Sequence, residues 1–173
     1  MRVIGIDPGL TRCGIGIVEG ETGRPPRFVA AGVVRTPADL GLAERLLALE
    51  VGLTVWFEEF LPEAVAVERV FAQHNLHTVT DTAQAAGTGL LLAARRNLPS
   101  ALYTPSEVKA AVTGSGRADK AQIGVMVARV LRLESPPKPA DAADAVALAI
   151  CHLWRGGATN RYAAAVAAAR STR

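Results

Sequence analysis

Four acidic residues occupy positions where a rigid backbone would hold a carboxylate: Asp7, Glu68, Asp141 and Asp144. Asp7 follows a β-branched apolar run and precedes Pro-Gly, and Glu68 follows Ala-Val-Ala-Val, so each is predicted to end a buried strand. Asp141 and Asp144 are spaced i, i+3 at the start of an apolar helix and therefore share a face. Oxygen ligands without histidine or cysteine favour Mg²⁺ or Mn²⁺ over zinc. Two such ions about 3.5–4 Å apart could activate water and stabilise the leaving oxygen of a phosphodiester.

Each of these acids also has a purely structural interpretation. Asp7 could simply begin a turn, and Glu68 could be a strand-end charge that points into water. Asp141 suits the N-cap of the helix, and Asp144 suits the positive end of the helix dipole. These helix roles explain one acid well. Two like charges on one face beside further acids are costly, and a bound cation would offset that cost.

A short basic segment lies in the second half of the chain. Five basic residues and one acid, Asp119, occur within it, although the net charge of the whole chain is only +3. The basic residues are Lys109, Arg117, Lys120, Arg129 and Arg132. A solvated helix face is the usual explanation of such a run, and contact with nucleic-acid phosphates is the alternative.

Composition predicts one globular domain. With 173 residues, of which 50% are hydrophobic, we expect a single domain over 1–155 and an Ala/Arg-rich tail over 156–173 that is frayed or disordered. There is no apolar run long enough for a membrane span and no signal-peptide pattern, so we expect a cytoplasmic protein without a membrane partner. Cys13 and Cys151 are too few and too far apart to indicate a disulfide framework or a zinc site.

Apolar patterning predicts an alternating α/β chain. The strands are expected near 3–7, 13–18, 28–36, 64–68 and 98–104, and the helices near 37–60, 75–97, 105–109, 118–133 and 141–154. Short connections make the first three strands an antiparallel meander, and helical crossovers make the last two strands parallel to the first. The first and fourth strands then end at one edge of a mixed five-stranded sheet, which brings Asp7 and Glu68 together.

Four short motifs resemble those of the RuvC family of Holliday junction resolvases, in the same order and at compatible spacing over nearly the whole domain. They are Gly5-Ile6-Asp7-Pro8-Gly9, Ala66-Val67-Glu68-Arg69-Val70-Phe71, Val108-Lys109 with Gly114-x-Gly116-x-Ala118-x-Lys120, and Ala140-Asp141-Ala142-Ala143-Asp144-Ala145. Each motif alone would be weak, whereas four in register are specific.

The resemblance implies an RNase H-like fold and a homodimer that nicks four-way DNA junctions symmetrically in recombination and repair, with a branch-migration helicase complex as a further partner. It also implies two Mg²⁺ ions per active site, with Mn²⁺ as a substitute. The catalytic and metal-binding residues are then Asp7, Glu68, Asp141 and Asp144. Phe71 resembles the family's aromatic residue that stacks on a junction base, and Lys109 and Lys120 resemble its phosphate-contacting lysines. Arg117 in the same basic segment is a further expected DNA contact.

Small residues on the second predicted helix suggest where a dimer could form. Ala83, Ala86 and Gly87, together with Leu90, would allow a close approach of a second copy, or they could instead pack on the sheet. A two-fold symmetric dimer would supply paired nicks.

The chain departs from the family's pattern in two places. Cys13-Gly14-Ile15-Gly16 stands where many relatives have Thr-Gly-Tyr-Gly, and Gln84-Ala85-Ala86-Gly87 lacks the arginine of Gln-Ala-Arg-Gly. His74 or His77 could replace the lost DNA contacts, or could be ordinary surface histidines. Other interpretations of the chain are an actin-like ATPase, for which it is too short, a nuclease acting on structured RNA, and a junction-binding module without catalysis.

Overall fold

The structure, a computed structural model, describes residues 1–21, 24–70 and 76–171, with side chains over 1–21, 24–70 and 79–155. The strands are β1 (Arg2–Asp7), β2 (Arg12–Glu19), β3 (Arg27–Arg35), β4 (Ala64–Glu68) and β5 (Ser100–Tyr103). The helices are α1 (Leu42–Phe60), α2 (Leu76–Arg95), α3 (Pro105–Thr113), α4 (Lys120–Leu131) and α5 (Ala140–Ser171). Strands and helices follow one another in the predicted order.

The five strands form one mixed sheet in the order β3-β2-β1-β4-β5. β1 pairs antiparallel with β2, and β2 with β3, because short turns connect them. α1 and α2 cross over between strands, so β1 pairs parallel with β4, and β4 with β5. The predicted α/β architecture, a three-strand meander followed by two parallel strands, is confirmed.

Helices cover both faces of the sheet, and alternate strand residues belong to two separate cores. Val3 faces the core under α3, α4 and α5, whereas Ile4 and Ile6 face the core under α1 and α2. All three side chains are fully buried, so β1 is covered on both faces. Cys13 and Cys151 are free thiols in different cores, on opposite faces of the sheet.

Three glycines allow α5 to lie directly against β1 and β2. A Cβ atom at Gly5 would collide with the carbonyl oxygen of Ala145, and one at Gly14 would collide with the carbonyl oxygen of Asp141. A Cβ atom at Gly16 would likewise collide with the backbone nitrogen of Val146. Backbone therefore packs on backbone here, which fixes the first turns of α5 against the end of β1.

Three helices differ from the predicted bounds by four residues or more, and one of them is α3, which ends at Thr113 rather than near 109. α1 begins at Leu42 rather than near 37, because the backbone N–H of its N-cap, Gly41, bonds the Glu44 carboxylate at 2.8 Å. α5 begins at Ala140, so Asp141 is its second residue and not its N-cap, and the helix continues beyond the predicted end at 154 to Ser171. No described helix combines the length and the apolarity that crossing a membrane requires.

Candidate active site at the ends of β1 and β4

Asp7 and Glu68 lie side by side at one edge of the sheet. β1 and β4 are parallel neighbours with Ile6 opposite Val67, so the next residue of each strand is one of these acids. Both acids are half-buried, and both line a cavity of about 240 Å³ together with Asp144. The other lining residues are Pro105, Val108, Lys109, Lys120, Ile123 and Ala147. The expected meeting of the two strand ends is therefore observed.

The first turns of α5 supply the other two predicted acids, in different settings. Asp144 shares the cavity with Asp7 and accepts a hydrogen bond from Lys120, with Nζ and Oδ2 separated by 3.2 Å. The Oδ2 atom of Asp141 instead accepts from Nε of Arg12 at 2.7 Å and lies 2.7 Å from its Nη2. The structure thus groups three of the acids around one cavity, while the fourth pairs with a neighbouring guanidinium.

Burial and crowding of like charges perturb these acids. The pKa of Asp7 is raised to about 8, chiefly by removal from water and next by repulsion from Glu68 and the α5 acids. Burial likewise raises the pKa of Glu68, followed by repulsion from Asp144, while Lys120 and Lys109 lower it. The attraction of Asp144 raises the pKa of Lys120, which stays cationic. The lysines therefore offset only part of the burial cost and mutual repulsion of these acids.

The donor set suits a hard divalent cation, since the described residues around the cavity include carboxylates but neither histidine nor cysteine. In the present arrangement, no group of three or more described His, Cys, Asp or Glu residues is close enough to hold one ion. Asp144 and Asp141 are instead bound to Lys120 and Arg12. Ligation through the Oδ2 atoms of these two acids would require the ion pairs to open.

The predicted phosphate-contacting residues occupy two different places. Lys109 on α3 lines the cavity of the acids, as does Lys120, the first residue of α4. Asp119 is the N-cap of α4, and this cap fixes the direction in which the helix leaves the site. Arg117 is exposed and borders a different depression on the surface. The structure does not bring Arg117 to the acids.

A second cavity, of about 610 Å³, adjoins the first, because Glu68, Pro105 and Lys109 line both. Arg69 also lines the second cavity, and its backbone N–H donates to the carbonyl oxygen of Tyr103 at 2.8 Å. Cations beside a polar groove are what a phosphodiester backbone requires. The groove thus leads from the acids past the end of β4.

The predictions for Phe71 and for His74 fall outside the described residues, and so does the one for the side chain of His77. Val70, the residue before Phe71, is the last described residue of its segment, and it lines the second cavity. The stacking role of Phe71 stays a prediction.

Sequence analysis missed the placement of Arg12 and Arg69. Arg12 meets Asp141 across 129 positions of the chain, which no local pattern indicates. The hairpin register could have located it, because Arg12 opens β2 at the edge where Asp7 ends β1. The position of Arg69 directly after Glu68 could have indicated that Arg69 lies beside the acids.

Known proteins resemble this chain over almost its full length. Residues 3–152 match a family model described as crossover junction endodeoxyribonuclease RuvC. A protein with that description from Cutibacterium acnes is 66% identical over 172 residues, covering 99% of this chain and 88% of that protein. Its counterpart from Thermobifida fusca is 67% identical over 165 residues, covering 95% of this chain and 91% of that protein.

A solved structure extends the likeness to three dimensions. Thermus thermophilus RuvC in complex with a Holliday junction substrate has a TM-score of 0.84 to this chain at 33% identity, covering 90% of this chain and 94% of that one. The predicted RNase H-like fold is confirmed by this likeness.

Proposed function

Because the chain belongs to the RuvC family of crossover junction endodeoxyribonucleases, and is thus a nuclease that hydrolyses DNA phosphodiester bonds, we propose that it resolves four-way DNA junctions by paired symmetrical nicks in recombination and repair. The observation that carries the proposal is the cluster of Asp7, Glu68 and Asp144 around one cavity. The T. thermophilus relative with its Holliday junction supports the choice of substrate.

The proposed cofactor is Mg²⁺, two ions per active site, with Mn²⁺ as a substitute. The residues that would hold the ions are Asp7, Glu68, Asp141 and Asp144. Bound there, the ions would supply an activated water and would stabilise the leaving oxygen. The raised pKa of Asp7 supports this assignment, since a divalent cation would relieve the repulsion that contributes to it.

Cations of the chain would position the DNA around the acids. Lys109 and Lys120 line the acid cavity and would contact phosphates next to the scissile bond, while Arg69 would bind a phosphate in the adjoining cavity. Arg117 would meet the DNA farther from the acids. Phe71 would stack on a base at the branch point, a contact that contributes about 1–3 kcal/mol.

A homodimer is the proposed active assembly, because two nicks related by two-fold symmetry require two active sites with the same symmetry. A branch-migration helicase complex is the proposed further partner, and the cytoplasm is the proposed location.

Labelled DNA and RNA substrates test the proposal. We expect the wild-type protein to nick a four-way junction at two symmetrical positions when Mg²⁺ or Mn²⁺ is present and not without a divalent cation, and to leave linear duplex and structured RNA intact. Asp7→Asn, Glu68→Gln and Asp144→Asn should each abolish nicking. Junction binding should persist or tighten in these variants, because affinity comes mainly from cations that meet phosphates.

Asp39→Asn is the matched control, because it removes an exposed carboxylate from the loop before α1 and should nick normally. Normal nicking by the Asp7→Asn variant would refute the assignment of the acids. Preferential cleavage of RNA would favour an RNA nuclease. Junction binding without any metal-dependent nicking by the wild-type protein would favour a binding module.

A further inference from the structure

A cavity of about 520 Å³ lies between the β2–β3 turn, α4 and α5. Arg24, Arg129 and Arg132 contribute three guanidinium groups to its wall, and Trp154 contributes an indole ring. No acidic residue of the described chain lines it. It shares no lining residue with the cavity of the catalytic acids.

This cavity stands at the far end of the same helices that build the active site. α4 begins with Lys120 at the acids and carries Arg129 and Arg132 around its other end. α5 has Asp141 in its first turn, and Trp154 follows about 20 Å farther along the helix axis at 1.5 Å per residue. Lys120 and the pair Arg129 and Arg132 belong to one basic segment of the sequence, but they lie at opposite ends of α4.

The arginines of the cavity are poorly neutralised within the described chain. Nη1 of Arg24 is 3.3 Å from the Glu21 carboxylate, but both side chains are largely exposed, so water screens this pair. Arg129 and Arg132 have no ion-pair partner among the described residues. Their position near the end of α4 suits the helix dipole, yet that role does not explain a cavity beside them.

The remaining wall of the cavity is apolar. Pro25, Pro26, Met126 and Val130 line it, and Trp154 is 37% exposed although the preceding turns of α5 are buried. Tryptophan and arginine around a concave apolar surface are the residues that contribute most at protein–protein interfaces. A phosphate alone would leave the apolar wall uncovered.

We propose that this cavity docks an acidic segment of a partner protein through one aromatic or large aliphatic side chain. The apolar side chain enters beside Trp154, and the flanking carboxylates meet the arginines. The volume is that of a small-ligand pocket, which admits a side chain but not a DNA duplex. The proposal does not depend on the nuclease activity.

Fluorescence anisotropy with the full chain and a labelled peptide, Glu-Asp-Glu-Phe-Asp-Glu-Asp, tests the proposal. We expect a Kd of about 10–100 μM, and this Kd should rise as salt is added because salt screens the charges. Trp154→Ala and the double variant Arg129→Glu/Arg132→Glu should each weaken binding about tenfold or more. A peptide with serine for phenylalanine, and one with lysine for every acid, should bind far more weakly.

The double variant exchanges exposed surface residues far from the acids, so its nicking of junctions should equal that of the wild type, and its melting temperature should fall by only a few degrees because glutamate opposes the helix dipole. The double variant Arg35→Glu/Arg95→Glu is the matched charge control, since both arginines are exposed and neither lines this cavity. No peptide binding up to about 1 mM, equal binding by the double variant, or tighter binding of single-stranded oligothymidylate than of the peptide would overturn the proposal.

Discussion

Two cations of the chain are bound to acids that the metal ions would need. Arg12 contacts Asp141 at 2.7 Å, and Lys120 contacts Asp144 at 3.2 Å. Both pairs are partly exposed, so each stabilises its acid by about 1 kcal/mol or less. Metal ions and DNA phosphates can therefore displace them.

Arg12→Gln should raise the affinity of the site for Mg²⁺ in the absence of DNA. The substitution leaves the Asp141 carboxylate without a competing cation. Removing an interaction of about 1 kcal/mol corresponds to about a fivefold lower Kd. Isothermal titration calorimetry of the protein alone measures this change.

The control for this prediction is Arg27→Gln, which breaks a similar exposed pair, with Glu19 at 2.8 Å, at the other end of the sheet. Its Mg²⁺ affinity should equal that of the wild type. If Arg12→Gln also left the affinity unchanged, Arg12 would not compete with the metal.

His152 is a buried histidine that makes stability depend on pH. It is 2% exposed, its Nδ1 lies 3.0 Å from the Tyr103 hydroxyl, and its Nε2 has no partner in the described part of the chain. Burial lowers the pKa of His152 below its ordinary value of 6.5. The unfolded chain therefore takes up a proton at a higher pH than the folded protein does.

The contribution of His152 to stability should consequently fall as the pH drops below about 6.5, by at most about 1.4 kcal/mol per pH unit. Asp7, whose pKa is raised to about 8, acts in the opposite direction, and it is present in both proteins that are compared. His152→Gln cannot ionise and keeps a polar atom near Tyr103, so its stability relative to that of the wild type should rise between about pH 7.5 and pH 5. Urea unfolding at several pH values measures the difference. The same pH dependence in the two proteins would show that His152 does not contribute.

At the level of elements, the backbone contact between α5 and the sheet positions the acids. Gly14→Ala would force its methyl group against the carbonyl oxygen of Asp141, so α5 must shift together with Asp144. We expect a loss of about 1–3 kcal/mol in the free energy of unfolding. Nicking should fall by more than about tenfold, since small displacements of catalytic groups cost large factors in rate.

Gly124→Ala on α4 is the control for this substitution, because its Cβ atom would make only an ordinary van der Waals contact, with Pro136 at 3.4 Å. It should keep nicking and gain up to about 1 kcal/mol in helix stability. Thermal melting and a junction-nicking assay on both variants make the comparison. Normal nicking by Gly14→Ala would show that the acids tolerate movement of α5.

The sequence was sufficient to predict the order of the strands and helices, and their pairing, because apolar runs and connection lengths are local properties. Asp7 and Glu68 could be brought together for the same reason, since parallel pairing of β1 and β4 places both strand ends at one edge. The start of α1 was missed because Pro37 suggested a first turn, whereas the cap at Gly41 depends on Glu44.

The pairing of the cations with the acids could not be predicted in the same way. Arg12 and Asp141 are 129 positions apart, and their contact depends on how closely α5 approaches β2. That distance is set by glycines whose effect appears only when the two backbones are packed. The cavity beside Trp154 could not be predicted either, because Arg24, Arg129 and Trp154 come from three separate segments of the chain.

For the whole molecule, the outward face of α2 has the small residues that a close helix contact needs. Ala83 and Gly87 are exposed, whereas Ala86 is 6% exposed and Leu90 packs against the core beneath α2. Of the four residues expected at the interface, Ala83 and Gly87 therefore lie on the surface, whereas Ala86 and Leu90 belong to the core. The proposed dimer would use Ala83 and Gly87, together with Leu91, which is 49% exposed.

Gly87→Arg should turn the proposed dimer into a monomer and abolish paired nicking. A Cβ atom at position 87 would meet nothing within 4 Å, and arginine favours the helix more than glycine does, so the monomer should stay folded. Light scattering at micromolar concentration measures the oligomeric state. End-labelled junctions show whether the two nicks are made as a pair. Val125→Arg on α4, where the valine is 62% exposed, should remain a dimer. A wild-type monomer that makes paired nicks would contradict two-fold assembly.

The central position of β1 has a consequence for motion. β1 is hydrogen-bonded on both sides by β2 and β4 and is covered on both faces, so its amide hydrogens should exchange with solvent only when the whole domain opens. Asp7 ends this strand, so its backbone should be held for much longer than the nanoseconds in which an exposed side chain such as that of Lys120, 78% exposed, can change rotamer. We therefore expect adjustment to each new substrate to come from the cations rather than from the strand that carries Asp7.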